Sequence, residues 1–133
     1  MTRGLLDTSV FIARENRGLA VHELPDEVAV SVVTHAELTA GVLAAADTDV
    51  RARRLVTLTT VAEMNPVPID MAVAEAWARL RVHLARGARG RRRGNVNDTW
   101  IAATALALDI PVVTQDDDFD VLAQLCELRV VHV

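Results

Sequence analysis

Short apolar runs alternate along the chain with longer stretches in which apolar residues recur every three or four positions. Gly4 to Leu6 reads as a short strand ending at Asp7, where the chain turns into a helix. Val28 to Val32 reads as a second strand, feeding a helix from about Val33 to Ala46. A further helix is expected from about Asp49 to Ala62, then an extended piece around Val67 to Ile69 that Pro66 and Pro68 hold out of helical conformation. Asp70 suits the N-cap of a long helix in which Val73, Trp77, Leu80 and Leu84 form one stripe, a pattern expected in a core or a dimer seam. Gly87 to Gly94 reads as a loop, Asn97 to Asp109 as a helix, Pro111 to Thr114 as a strand, Asp116 to Leu125 as a helix and Leu128 to Val131 as a last strand. Strands that alternate with helices in this way give an α/β class with a parallel sheet covered on both faces.

Composition narrows the picture without changing it. A chain of 133 residues fits one domain with a core of its own, and 51% apolar with 24% charged residues is ordinary for a globular protein. The one cysteine, Cys126, forbids an intramolecular disulfide or a cysteine-rich zinc site and fits a reducing compartment, so a cytoplasmic location is expected. There is neither a secretory signal pattern nor an apolar run of the ~18 residues that cross a bilayer, so no membrane association is expected. All fourteen basic residues are arginine, which excludes mechanisms that need a lysine.

Carboxylates carry the candidate chemistry. Asp7 follows the first strand, Glu37 lies on the helix after the second, Asp98 stands near the head of a helix, and Asp116, Asp117 and Asp118 follow the strand Val112-Val113-Thr114. Taken singly, each has a plain structural explanation. Asp7, Thr8 and Ser9 all favour helix caps, capping explains one of Asn97 and Asp98, and the helix dipole accommodates one acid of the Asp116–Asp118 run. On the second helix Val33, Ala36, Ala40 and Leu43 are read as the buried stripe, which puts Glu37 about 40° from Val33 at its margin, where an ion pair with arginine would account for it equally well. Together the four positions gain weight, because parallel sheets gather strand ends at one edge, where α/β folds bind ligands.

The segments Leu5-Leu6-Asp7-Thr8-Ser9-Val10, Ser31-Val32-Val33-Thr34-His35-Ala36-Glu37-Leu38, Asn97-Asp98-Thr99-Trp100-Ile101-Ala102-Ala103-Thr104-Ala105 and Val113-Thr114-Gln115-Asp116-Asp117-Asp118-Phe119 resemble, in order, the four motifs of the PIN-domain ribonucleases, in particular the VapC-type toxins of bacterial toxin-antitoxin operons. The resemblance implies a three-layer α/β/α PIN-like fold with a central parallel sheet and a metal-dependent endoribonuclease. It further implies that Asp7, Glu37, Asp98 and Asp116 are the metal-site acids, that the protein is a homodimer, and that a cognate antitoxin covers the cleft. RNA would be the substrate, with transfer RNA the commonest target among such toxins. Two positions depart from the family pattern: the compact last motif lets Asp118 share or take over the role of Asp116, and Trp100 stands where a smaller residue is usual.

Oxygen-only ligation suits Mg²⁺ or Mn²⁺ and argues against structural zinc, and His22, His35, His83 and His132 show no ligand spacing. Carboxylates ~4 Å apart repel by roughly 4 kcal/mol at an effective dielectric of ~20, so an ion-free site is expected to be strained or partly protonated. In-line hydrolysis at such a centre would leave 5′-phosphate and 3′-hydroxyl ends. Thr8, Ser9, Asn97 and Thr114 are expected to orient the acids or water. Because an acidic pocket repels RNA, Arg86, Arg89, Arg91, Arg92 and Arg93 are read as an RNA clamp, with Arg14 and Arg17 as further contributors. Receiver domains and dehalogenase-type phosphatases also gather aspartates, but both use a lysine that this chain lacks. A non-catalytic RNA- or protein-binding module that retains the fold is the remaining alternative.

Overall fold

The computed structural model describes residues 1–17, 23–87 and 95–133. Four strands, β1 (Arg3–Leu6), β2 (Glu27–Val30), β3 (Val112–Thr114) and β4 (Val130–His132), form one parallel sheet in the order β2-β1-β3-β4. Between them run α1 (Thr8–Arg17), α2 (Val32–Ala44), α3 (Thr48–Glu63), α4 (Met71–Gly87), α5 (Val96–Leu108) and α6 (Asp118–Leu125). Each observed element lies within a few residues of its sequence expectation. The extended piece near Val67 reduces to a single bridge to Ser31.

Alternation along β1 divides the core between the two faces of the sheet. Leu5 packs with Leu80, Ile101, Phe119 and Leu122, whereas Leu6 packs with Val10, Phe11 and Val61. Neighbouring β3 repeats the split, with Val112 on the first face and Val113 on the second. Helices α4, α5 and α6 therefore cover one face and α1 and α3 the other, giving the three layers. From β1 the chain moves outward to β2 through α1 on one face. From β3 it moves the opposite way to β4 through α6 on the other face, the arrangement that keeps both crossovers right-handed. The strand order reverses between β1 and β3, and a ligand crevice belongs at the carboxyl end of that junction.

Two helix faces differ from the sequence reading. On α2, Ala36, Ala40 and Leu43 are exposed, Leu43 by 77%, while Thr34 is fully buried and Leu38 packs on the core. A buried threonine hydroxyl, satisfied by the Thr8 hydroxyl, turns the helix away from its most apolar side, and Arg54 of α3 donates to the Gly41 carbonyl. On α5, Leu108 is exposed, but Thr99 and Ile101 to Ala105 are all buried. This short-chained helix sits between the sheet and α4, with Ala103 against Val73 and Ala76. The α4 stripe is thus core: Val73 and Leu80 are buried, and Trp77 stacks on Trp100 with centroids 4.7 Å apart while its indole N–H donates to Thr99 Oγ1. Trp100 finds its place in that stack, and Arg81 lies over the Trp77 ring.

Candidate active site

The register of the sheet fixes the site. Leu6 pairs with Val30 on one side and Val113 on the other, so the next residues, Asp7, Ser31 and Thr114, stand abreast at the carboxyl edge. Asp7 is buried, and its Oδ2 accepts from Ser9 Oγ at 2.8 Å, Ser9 N at 3.4 Å and Thr114 Oγ1 at 3.0 Å. Among the described residues no hydrogen bond reaches Oδ1, which leaves that oxygen available. Three donors on one oxygen offset the cost of burying the charge and hold the carboxylate in one orientation. The same hydroxyls lock the loop after β3, since Ser9 Oγ accepts from Gln115 N and Thr114 Oγ1 from Asp116 N, both at 3.0 Å.

Ser31 begins α2 by accepting from Val33 N at 3.0 Å, which sets the phase that brings Glu37 inward. Thr8 Oγ1 lies 2.9 Å from Glu37 Oε1 and 3.0 Å from Thr34 Oγ1. Its single proton belongs with the carboxylate, the stronger acceptor. Among the described residues Glu37 has no arginine within ion-pair distance, and its hydrogen-bond partner is the Thr8 hydroxyl. Neither Asn97 nor Asp98 caps α5: Asn95 does, accepting from Asn97 N at 3.0 Å, which frees the Asp98 side chain.

These elements enclose a cleft of about 470 Å³. Asp7, Glu37, Asp98, Asp116 and Asp118 all line it, with Thr8 and Ser9, and among its described lining residues none is basic. The four separated acids of the sequence reading are brought together, and Asp116 and Asp118 both reach the cleft. Asn97 does not line it, whereas Asn95, Asn16 and Gln115 do. Asn16 shares a helical face with Thr8 and Ile12, at spacings of four, and Gln115 directly follows the β3 terminus. Both were legible as positions, though nothing in an amide pointed to them.

Crowding shows in the proton affinities. Burial, followed by the charges of Asp7, Asp118, Glu37 and Asp116, pushes the Asp98 carboxyl up to about 7. Asp116 is raised by burial and then by Asp7, Asp118 and Asp117. Such a group of oxygen donors, with Asp98 and Asp116 both raised by burial and by neighbouring acids, fits a hard divalent cation. A separate surface cluster, Asp117, Asp120 and His132, has ligand-type atoms within 4.8 Å of one another, and the 2.9 Å His132–Asp120 pair accounts for much of it.

Of the expected RNA clamp, Arg86 is the exposed basic residue of the last turn of α4, while Arg89, Arg91, Arg92 and Arg93 lie outside the described residues. Arg14 lines a different groove, with Phe11 and Arg53, and the Arg17 side chain is outside the described set.

Comparison with known proteins bears on the family and the fold. The family model "PIN domain" matches residues 4–125. "Ribonuclease VapC5" of Mycobacterium tuberculosis is 53% identical over 131 residues, covering 98% of this chain and 95% of that protein. "Ribonuclease VapC4" of the same organism is 47% identical over 122 residues, covering 88% of each. Among solved structures, a crystal structure of VapBC-5, a VapBC-family toxin-antitoxin system from M. tuberculosis, superposes with a TM-score of 0.88 at 50% identity and covers all of both chains.

Proposed function

The chain belongs to the PIN-domain family and, within it, to the VapC ribonucleases, and from that premise we propose that it is a divalent-metal-dependent endoribonuclease, the toxin of a toxin-antitoxin pair. The observation that carries the reading is the convergence of five carboxylates on one cleft at the β1–β3 junction, where burial and then the other four acids push the Asp98 carboxyl up to about 7.

Asp7, Glu37, Asp98 and Asp116 are the acids assigned to the metal and the chemistry, with Asp118 beside Asp116. Ser9 and Thr114 orient Asp7, and Thr8 orients Glu37. Asn97 would act only through the backbone of the α5 cap. Mg²⁺ or Mn²⁺ held by these oxygens would supply Lewis acidity at the scissile phosphate and neutralise charge on the leaving oxygen. The protein's own contribution is preorganisation: Asp7 and Glu37 are held by hydroxyl donors before substrate arrives, and Asp98 would give up its proton on binding a cation. Water adds to phosphorus and the bond to the 3′ oxygen breaks, leaving a 5′-phosphate and a 3′-hydroxyl.

RNA cleavage by such a toxin would inhibit translation and growth, with transfer RNA the favoured target. A cognate antitoxin is the expected partner, in line with the two-component complex of the superposed structure. Homodimerisation and a cytoplasmic site of action complete the reading. Among the described residues no helix is long and apolar enough to cross a membrane.

The test is incubation of the purified protein with labelled RNA and Mn²⁺, with and without EDTA, followed by sequencing of the ends. Metal-dependent cuts with 5′-phosphates are expected, and Asp7→Asn abolishes them. RNA that is bound but left intact at every metal concentration would reduce the protein to a binding module.

A further inference from the structure

The acidic cleft lacks what a polyanion requires, since none of its described lining residues is basic. Positive charge lies just beyond its rim. Thr8, Ile12, Asn16 and Glu37 line both the cleft and a second groove of about 290 Å³, whose far wall is Arg53 and Arg54 on α3. Arg53 in turn lines a third groove, of about 330 Å³, opposite Arg14 on α1. The three depressions form one trough that starts at the carboxylates and runs out between α1 and α3.

The arginines along it are engaged differently. Arg54 donates through Nη1 to the Gly41 carbonyl at 2.7 Å and is committed to joining α2 to α3. Arg14 and Arg53 are exposed and, among the described residues, neither is within ion-pair distance of a carboxylate. Glu15 lines both the outer and the middle groove, and its Oε1 accepts from the Thr57 hydroxyl at 2.8 Å, which turns that oxygen toward α3. Among the described residues, two guanidinium groups without a carboxylate partner thus line grooves that share walls with one another and, through the middle groove, with the cleft, an arrangement suited to phosphate oxygens. Exposed Ile12 and Val56 along the same walls offer apolar surface to sugars.

We propose that the α1–α3 trough is an RNA-backbone subsite, in which Arg53, seconded by Arg14, holds phosphates of the strand leaving the catalytic cleft. The proposal rests on the nuclease reading and specifies where substrate lies outside the reacting centre. It also separates chemistry from grip: Arg53 does not touch the scissile phosphate, so it governs how tightly a long strand is held and not how fast a seated one is cut.

Arg53→Ala and Arg14→Ala/Arg53→Ala are compared with the wild type on a single-stranded RNA of about ten nucleotides and on one of about three that spans only the cleft. On the longer RNA, KM is expected to rise about tenfold for the single variant, with kcat kept. The slope of log affinity against log salt should flatten by about 0.7 for each lost phosphate contact, and Arg53→Lys should restore that slope. On the shorter RNA all forms should perform alike. Fluorescence anisotropy of the labelled RNA with the same proteins in Ca²⁺ measures binding independently of cleavage, so a wild type that binds but does not cut defeats the nuclease reading and still decides the subsite. Variants with wild-type melting temperature, KM, affinity and salt slope would overturn the proposal and leave the trough to a protein partner.

Discussion

Asp98 is the residue at which the competing demands of stability and chemistry are sharpest. Its carboxyl is raised from the usual 3.8 to about 7, so between those values the folded protein keeps a proton that the unfolded chain has released. Stability of the ion-free protein should therefore fall as pH rises from about 4 to 7, and then level off. Thermal melts in EDTA across that range check the slope, and Mn²⁺ should raise the melting temperature more at pH 8 than at pH 5.5. Asp98→Asn removes the charge but keeps the shape. It should abolish cleavage while stabilising the ion-free protein at pH 8 by about 1–2 kcal/mol, after allowance for solvent screening of a partly exposed group, or roughly 3–8 °C. Ser9→Ala takes away the 2.8 Å bond to Asp7 and the acceptor for Gln115 N. A loss of about 10- to 100-fold in kcat with unchanged circular dichroism is expected, because a positioning donor and not a reacting group is removed.

At the scale of elements, strand interiors and helix types follow from periodicity, but which side of a helix is buried does not always. The α2 stripe is misleading because alanine is apolar yet contributes little burial, so Ala36 and Ala40 lose to a threonine whose hydroxyl is satisfied internally. The α5 cap is displaced in the same way: both Asn97 and Asp98 are competent caps, but Asn95 is the one whose side chain meets the open backbone N–H. Asp7, Asp98 and Asp116 were readable because each sits at a strand end or in the first turn of a helix, and Glu37 because it stands at the margin of the stripe read on its helix. Asn16 and Gln115 were not, because an amide needs its neighbours in space before it can be assigned anything. A tighter constraint lies in β1, where a Cβ on Gly4 would stand 2.5 Å from Val113 Cγ2 and 3.0 Å from Pro25 Cγ. The valine is stiff and buried, so Gly4→Ala should cost about 1–3 kcal/mol in urea unfolding, and a variant as stable as the wild type would show that β1 and β3 can part without loss.

For the whole molecule, a parallel sheet covered on both faces was legible in the alternation of elements, whereas the strand order was not. Pairing of β1 with β3 joins segments more than a hundred positions apart and leaves no local mark on either. That junction nonetheless decides when the acidic cleft is complete. A ribosome delivers the amino-terminal part first, at roughly 5–20 residues per second. Until Thr114 and the acids after it emerge, Asp7 lacks a neighbour and the cage lacks a wall. Completion of the site is therefore a late event of synthesis, reached only when the carboxyl-terminal strands dock beside β1.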